Sequence, residues 1–310
     1  MNSVIDSYAS RNEPVAAMRP RRDPVVYGRA GEPGLTEHQL KSYQKKGFVF
    51  LRSFFSPHEV AVFLAEARRL AADPGIRERE EAIAEPGSDE IRSVFDAHRL
   101  HPLFDRVARD PRLVASVQSI LGEGIYVHQS RLNLKPGFVG KEFYWHSDFE
   151  TWHVEDGMPR MRALSCTVLL TDNNEFNGPL FIVPGSHMHY VTCVGETPED
   201  HYKVSLKKQE VGVPDPESLA QLVERGGIQS MKGPAGSVIL FDCNAMHGSS
   251  SNISPYPRSN LFMVYNSVEN RLGPPPSGIK PRPDFIAARR HVAPLEPAHG
   301  DYLRDYLQWR

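Results

Sequence analysis

The 310-residue sequence is poor in cysteine, in net charge and in long apolar runs. Its three cysteines, Cys166, Cys193 and Cys243, are odd in number, widely separated and free of any Cys-x-x-Cys pattern. That excludes a disulfide framework and a cysteine zinc site, and it fits a reducing, cytoplasmic compartment. No apolar stretch approaches the roughly 20 residues that span a bilayer, and the opening of the chain is too polar and proline-bearing for a secretory signal. A formal charge of -2 and a pI near 6.7 remove any overall electrostatic reason to expect nucleic acid or an anionic membrane as partner. Local basic runs such as Arg19 to Arg22 read as solvated tail.

What is present falls into zones. Residues 1–34 carry Arg, Pro and Gly with few periodic apolar positions and are expected to form an extended arm of little chemical consequence. From residue 35 the signals are helical. Thr36 with Gln39, and Ser56-Pro57 with Glu59, are capping boxes that open helices; Gly47 ends the first, and Phe48 to Leu51 read as a short buried strand. Val60, Phe63, Leu64, Ala67 and Leu70 fall at helical spacing, as does a pattern from His101 to Leu121 that Gly122 and Gly124 end. Glu78 to Asp89 reads as loop.

After Gly124 the texture changes to short strands separated by Gly, Pro and Asn: Ile125 to Leu134, Glu142 to Phe149, Arg162 to Leu170, Leu180 to Val183, Ser237 to Phe241 and Asn260 to Ser267. The expected fold is mainly β with flanking α-helices, a double-sheet jelly roll whose outer face the helices of residues 35–124 cover. Strands of a jelly-roll core are expected over 125–270. Residues 195–213 are polar, long and irregular, a candidate active-site lid, and residues 271–310 wrap the outside, with a closing helix over Asp301 to Arg310. Residues 35–310 then form one domain.

The chemistry is concentrated in Phe143-Tyr144-Trp145-His146-Ser147-Asp148-Phe149-Glu150-Thr151-Trp152-His153. On a strand, side chains two apart share a face, so His146 and Asp148 are expected to point at one atom. A His-x-Asp pair carries little weight by itself. His247, ending a distal apolar strand, completes a set of two histidines and one carboxylate, which suits Fe(II) and leaves positions open. Arg258 and Ser259 then follow, as an iron site needs if it also holds a dicarboxylate.

Three further pieces, Asn177-Gly178-Pro179-Leu180, Pro184-Gly185-Ser186-His187 and the pair His247 with Arg258, together with His146-Ser147-Asp148, resemble the Fe(II)- and 2-oxoglutarate-dependent dioxygenases of the phytanoyl-CoA hydroxylase superfamily. The run from Phe143 to Pro159 closely resembles the signature segment of the ectoine hydroxylases. The resemblance implies a double-stranded β-helix (cupin-like) core, Fe(II) held by His146, Asp148 and His247, and 2-oxoglutarate and O2 as co-substrates. It places Arg258 on the far carboxylate of 2-oxoglutarate, where a guanidinium can form two parallel hydrogen bonds. Lys135 and Asn133 on one strand face would assist. Ectoine, a small cyclic amidinium carboxylate, would lie against Gln129 and Trp152, since an aromatic face holds a delocalised cation. A homodimer is also implied. Two other readings stay open at this point: a related dioxygenase acting on another small amino acid or acyl group, and a metal-binding cupin-like protein without redox function, for which a second carboxylate pocket would have no use.

Overall fold

The computed structural model describes residues 6–207, 210–290 and 292–308. Met1 to Ile5 of the arm, Lys208 and Gln209 of the expected lid, and Trp309 and Arg310 of the expected closing helix lie outside the described residues. The arm contributes a short strand, Met18–Pro20 (β1). There follow α1 (Glu37–Lys46), β2 (Phe48–Leu51), α2 (Pro57–Ala72), the single turn α3 (Pro74–Arg77), β3 (Ala82–Ala84), β4 (Ile91–Phe95), a second short helix α4 (Ala97–Leu100), α5 (Pro102–Ala108) and α6 (Pro111–Leu121). The rest is β5 (Ile125–Lys135), β6 (Phe143–His146), α7 (Asp148–Asp156), β7 (Ala163–Leu169), β8 (Leu180–Ile182), β9 (His189–Val191), α8 (Tyr202–Ser205), α9 (Pro216–Gly226), β10 (Gln229–Ser230), β11 (Val238–Asp242), β12 (His247–Ser249), β13 (Arg258–Ser267) and α10 (Tyr302–Gln308).

Local chemistry accounts for the boundaries. Both capping boxes form: Thr36 and Ser56 accept from the backbone three residues on, and Gln39 and Glu59 reach back. Gly47 closes α1 at φ 81, a left-handed position that glycine takes without strain. The single helix expected over His101 to Leu121 is two, because Pro111 cannot continue a helix and Asp110 caps the next one with its carboxylate. The polar stretch expected to be loop contains β3, and β4 adds to it, forming an edge hairpin that the charged sequence conceals.

Two antiparallel sheets face each other. The larger has the order β2-β11-β7-β13-β5-β4-β3 and the smaller β10-β8-β12-β6, while β1 pairs with β9 separately. This is the jelly-roll core, mainly β with helices on one side. Alternate residues of the large sheet point outward at those helices: Leu132, Leu164, Cys166, Val168, Leu240, Leu261, Met263 and Tyr265 join Tyr43, Phe63, Phe104, Leu113 and Val117 in one apolar cluster. The other parity faces into the barrel. Phe241, Ile239, Leu169 and Phe262 meet Leu180 and Ile182 of the small sheet there, closing one end of the interior. The same inward parity on β5 belongs to Gln129, Arg131, Asn133 and Lys135.

The arm is not peripheral. Tyr8, Ser10, Arg11 and Asp23 are buried. Tyr8 packs edge-on to Phe149 and Tyr190 at ring separations of 5.0 and 5.2 Å, and Arg21 forms a buried ion pair with Asp242 at 2.8 Å.

Candidate active site

The two histidines are neighbours because β12 and β6 pair antiparallel with His247 directly opposite His146. Their rings lie 4.2 Å apart. Asp148 arrives differently from the expectation. His146 is the last residue of its strand, Ser147 is the N-cap, and Asp148 is the first residue of α7. The shared face of one strand is therefore replaced by a strand-to-helix turn. Ser147 donates to Asn244 Oδ1 at 3.0 Å, and the Phe149 amide donates to the Cys243 carbonyl at 2.8 Å. These two bonds lock the turn to the loop that leads into His247. Arg21 holds the same loop from behind through Asp242.

The donor set fits a divalent metal. One ligand atom from each of His146, Asp148 and His247 lies within 4.8 Å of the others, the sole such cluster of His, Cys, Asp or Glu among the described residues. Asp148 Oδ1 stands 3.7 Å from His146 Nε2, and Oδ2 stands 3.9 Å from His247 Nε2. Ligands about 2.1 Å from a metal and at right angles are about 3 Å apart, so a small inward movement completes the set. His146 Nδ1 bonds the Tyr144 carbonyl at 2.6 Å and His247 Nδ1 the Ala245 carbonyl at 2.9 Å. A carbonyl only accepts, so both Nδ1 atoms carry the hydrogen and both Nε2 lone pairs face the cluster. Burial first, then His247, lowers the His146 pKa to about 4, which keeps that imidazole neutral and able to ligate. Ser165 donates to Asp148 Oδ2 at 2.9 Å and fixes the carboxylate's rotation.

Beyond the cluster the barrel carries uncompensated positive charge. Arg258 is buried; it donates to Asn133 Oδ1 at 2.5 Å and to the Gly178 carbonyl, and its Nε has no partner. Among the described residues no carboxylate pairs with it. Burial, followed by Arg92 and Arg131, lowers its pKa to about 9, so it is still a cation at neutral pH. Lys135, also fully buried, donates to Ser249 Oγ at 2.8 Å and the Ser250 carbonyl at 2.5 Å. Its pKa is pushed well down by burial, then by Arg258 and Arg92. Arg131 lies deep in the barrel yet keeps a surface on the cavity; burial lowers its pKa to about 10, Asp148 opposes and Arg92 adds to the lowering. Glu85 pairs directly with Arg92, at 2.9 Å, and acts on Lys135 and Arg258 without an ion pair to either. Buried cations without counter-ions are costly and mark a place for an anion. Unpaired Thr167 Oγ1 and both amide atoms of Asn260, on the same inward parity, offer further hydrogen bonds there. A dicarboxylate that reaches from the metal cluster to Arg258 fits these donors.

The Asn177-Gly178-Pro179 piece earns its place beside this pocket. Gly178 has φ 68, its carbonyl takes the Arg258 hydrogen bond, and a Cβ there would sit 2.9 Å from Lys135 Cδ and 2.5 Å from the Ser250 carbonyl oxygen. Only glycine lets the chain pass so close.

A cavity opens between the cluster and the outside, lined by Phe95, Gln129, Arg131, Phe143, Thr151, Trp152, Ser205, Leu206 and Arg282 around His146 and Asp148. Gln129 and Trp152 are thus brought to the same cavity. Gln129 Nε2 donates to the Ile286 carbonyl at 2.7 Å, leaving its Oε1 for a ligand. Trp152 packs edge-on to the buried His128 at 5.3 Å. Asn133 is placed to orient Arg258. Arg131 of the cavity lining and Asn260 beside Arg258 were not singled out from sequence. The alternation Gln129, Arg131, Asn133, Lys135 was the available signal for the first; the second follows Arg258 at the same strand parity.

Comparison with known proteins agrees with this arrangement. Residues 43–260 match the family model described as phytanoyl-CoA dioxygenase (PhyH). The ectoine dioxygenase of Bordetella bronchiseptica is 61% identical over 293 residues, covering 94% of this chain and 95% of the relative. This chain belongs to the phytanoyl-CoA dioxygenase family, among its ectoine dioxygenases. Within that family, the crystal structure of EctD from S. alaskensis with 2-oxoglutarate and 5-hydroxyectoine superposes with a TM-score of 0.86 at 49% identity, covering 95% of this chain and 99% of that one. The same protein with bound Fe gives a TM-score of 0.85 at 48% identity, with the same coverage. The chain shares nearly its whole length with these relatives.

Proposed function

We propose that the chain is an Fe(II)- and 2-oxoglutarate-dependent dioxygenase that hydroxylates L-ectoine to 5-hydroxyectoine. One oxygen atom of O2 enters ectoine and the other enters succinate, formed from 2-oxoglutarate with loss of CO2. The observation that carries this reading is the coexistence, in one barrel, of the His146, Asp148, His247 cluster and a buried, uncompensated Arg258.

His146, Asp148 and His247 hold Fe(II), which supplies the activation of O2 and the oxidising power. The protein's own residues bind and orient. Arg258, steadied by Asn133 and the Gly178 carbonyl, takes the far carboxylate of 2-oxoglutarate, with Lys135 as a second hydrogen-bond donor. Trp152 and Gln129 hold ectoine against the open side of the cluster. Ser205 and Leu206 of the 195–213 segment line that side and would shield it from water once ectoine is bound. The reading extends to a cytoplasmic enzyme, supported by three buried, unpaired cysteines, and to a homodimer, which sedimentation velocity checks.

The test is incubation with Fe(II), 2-oxoglutarate, O2 and ectoine, followed by mass analysis. Gain of one oxygen atom in ectoine, matched by succinate, is expected. No change in ectoine, with another solute oxidised instead, would remove the substrate assignment. The pocket itself is tested by Trp152→Ala. A desolvated cation over an indole contributes roughly 2 kcal/mol, so ectoine binding measured by calorimetry should weaken about thirtyfold, with lost packing adding to it. The charge-transfer band of the anaerobic Fe(II) and 2-oxoglutarate complex should persist. Loss of that band would assign Trp152 to the metal site.

A further inference from the structure

Arg11 lies far from the cluster in sequence, does not line the cavity, and is nonetheless buried. Its guanidinium spans two carboxylates of α7. Nε and Nη2 donate to Glu150 at 3.0 and 2.6 Å, and Nη1 donates to Glu155 at 2.7 Å. Ser10 adds a hydrogen bond to Glu150 at 2.5 Å. Between those two glutamates stands Trp152, and two residues before Glu150 stands Asp148. The fork therefore grips the one helix that carries a candidate metal ligand and the candidate ectoine-facing ring.

The same guanidinium reaches both flanks of the segment that lines the cavity through Ser205 and Leu206. Nη1 also donates to Thr197 Oγ1 at 2.6 Å. On the far flank, Gly212 packs so closely on the bridge that a Cβ there would lie 2.5 Å from Arg11 Nη2 and 3.0 Å from Glu150 Oε2. The arm is fixed in turn: the Arg11 amide donates to the Cys193 carbonyl at 3.0 Å, and the Cys193 amide donates to Ser10 Oγ at 2.9 Å. One side chain thus ties the ends of the covering segment to α7.

We propose that Arg11 is a positioning residue: by holding Thr197 and Gly212 against Glu150 and Glu155, it sets the placement of Trp152 and of Ser205 and Leu206 on ectoine. The proposal rests on the ectoine reading of the site. A bound substrate whose covering residues are misplaced by even 1 Å can lose up to about 100-fold in reaction efficiency. Among the described residues, the 2-oxoglutarate end of the barrel, with Asn133 and Lys135 on β5 and Arg258 on β13, forms no hydrogen bond or ion pair with this bridge.

Arg11→Ala is expected to raise the ectoine KM and Kd about tenfold or more, and to raise the ratio of succinate to hydroxylated ectoine, while the 2-oxoglutarate KM and the anaerobic charge-transfer band stay as in the wild type. Arg11→Lys keeps the charge but cannot fork, and should recover only part of the ectoine affinity. If Arg11→Ala does not fold, because two carboxylates are stranded, the neutral set Arg11→Met with Glu150→Gln and Glu155→Gln removes the bridge without stranding charge and should show the same ectoine-specific defect. A lowered unfolding temperature with ectoine Kd and product ratio within about twofold of wild type would overturn the proposal. So would an equal loss of 2-oxoglutarate affinity. Wild-type protein that leaves ectoine unchanged would instead overturn the reading of the site, and this control separates the two failures.

Discussion

Asp148→Ala is expected to abolish turnover and to lower the Fe(II) content of the purified protein, while circular dichroism and the unfolding temperature change little. Asp148 contributes the one carboxylate of the cluster, standing 3.7 and 3.9 Å from the two histidine Nε2 atoms. Its side chain keeps some exposure to the cavity and receives one hydrogen bond from protein, that of Ser165. Removing it therefore forfeits about 1 kcal/mol of folding stability. The metal loses its only anionic ligand from the protein. The comparison variant is Ser165→Ala, which leaves the carboxylate but not its orientation. Loss of such an outer partner costs about 10- to 100-fold in metal affinity or activity, and Asp148→Ala should fall well beyond that. His146→Ala and His247→Ala should match Asp148→Ala. Wild-type Fe(II) content and turnover at limiting Fe(II) in any one of the three would strike that residue from the set.

Arg258→Ala should raise the requirement for 2-oxoglutarate far more than that for ectoine. Arg258 is buried and has no carboxylate partner among the described residues; the charges that act on it most, Arg92 and Arg131, are repulsive, and Glu85 opposes them more weakly. A dicarboxylate would relieve that imbalance. Truncating one partner of a buried, hydrogen-bonded charge pair costs on the order of 2 to 5 kcal/mol, which is about 30- to 5,000-fold in affinity. The measurement is the KM for 2-oxoglutarate beside that for ectoine, together with thermal denaturation. 2-Oxoglutarate with Fe(II) should raise the wild-type midpoint by mass action and leave that of Arg258→Ala nearly unmoved. If the 2-oxoglutarate KM were unchanged, Lys135, fully buried on the paired strand, would become the main anchor.

Local signals were read from the sequence wherever a few adjacent residues decide the outcome. The capping boxes at Thr36 and Ser56 satisfy helix amides with side chains three residues apart, so no distant contact is needed. The candidate ligands His146, Asp148 and His247 were legible because few residue types bind Fe(II), and Arg258 was legible as a candidate anchor because a dicarboxylate needs a cation. The signature segment made the substrate legible by resemblance. The shape of the turn between His146 and Asp148 was not: period-two alternation and a helix start both bring residues two apart near one point, and the bonds to Asn244 and Cys243 that select the helix come from about a hundred residues downstream.

Face assignment also needed the tertiary structure. Every residue of β13 is buried, so hydrophobicity does not say which parity looks into the barrel. That choice is made by packing against the helices, where Leu261, Met263 and Tyr265 fit, and it leaves Arg258 and Asn260 facing inward, as the corresponding choice on β5 leaves Arg131. The arm shows the limit most clearly. Arg11 looks like any charged residue in a polar terminal stretch, and its partners Glu150, Glu155 and Thr197 lie 139, 144 and 186 positions away. An ion pair depends on distance in space, and only the folded barrel brings these charges within reach of one another.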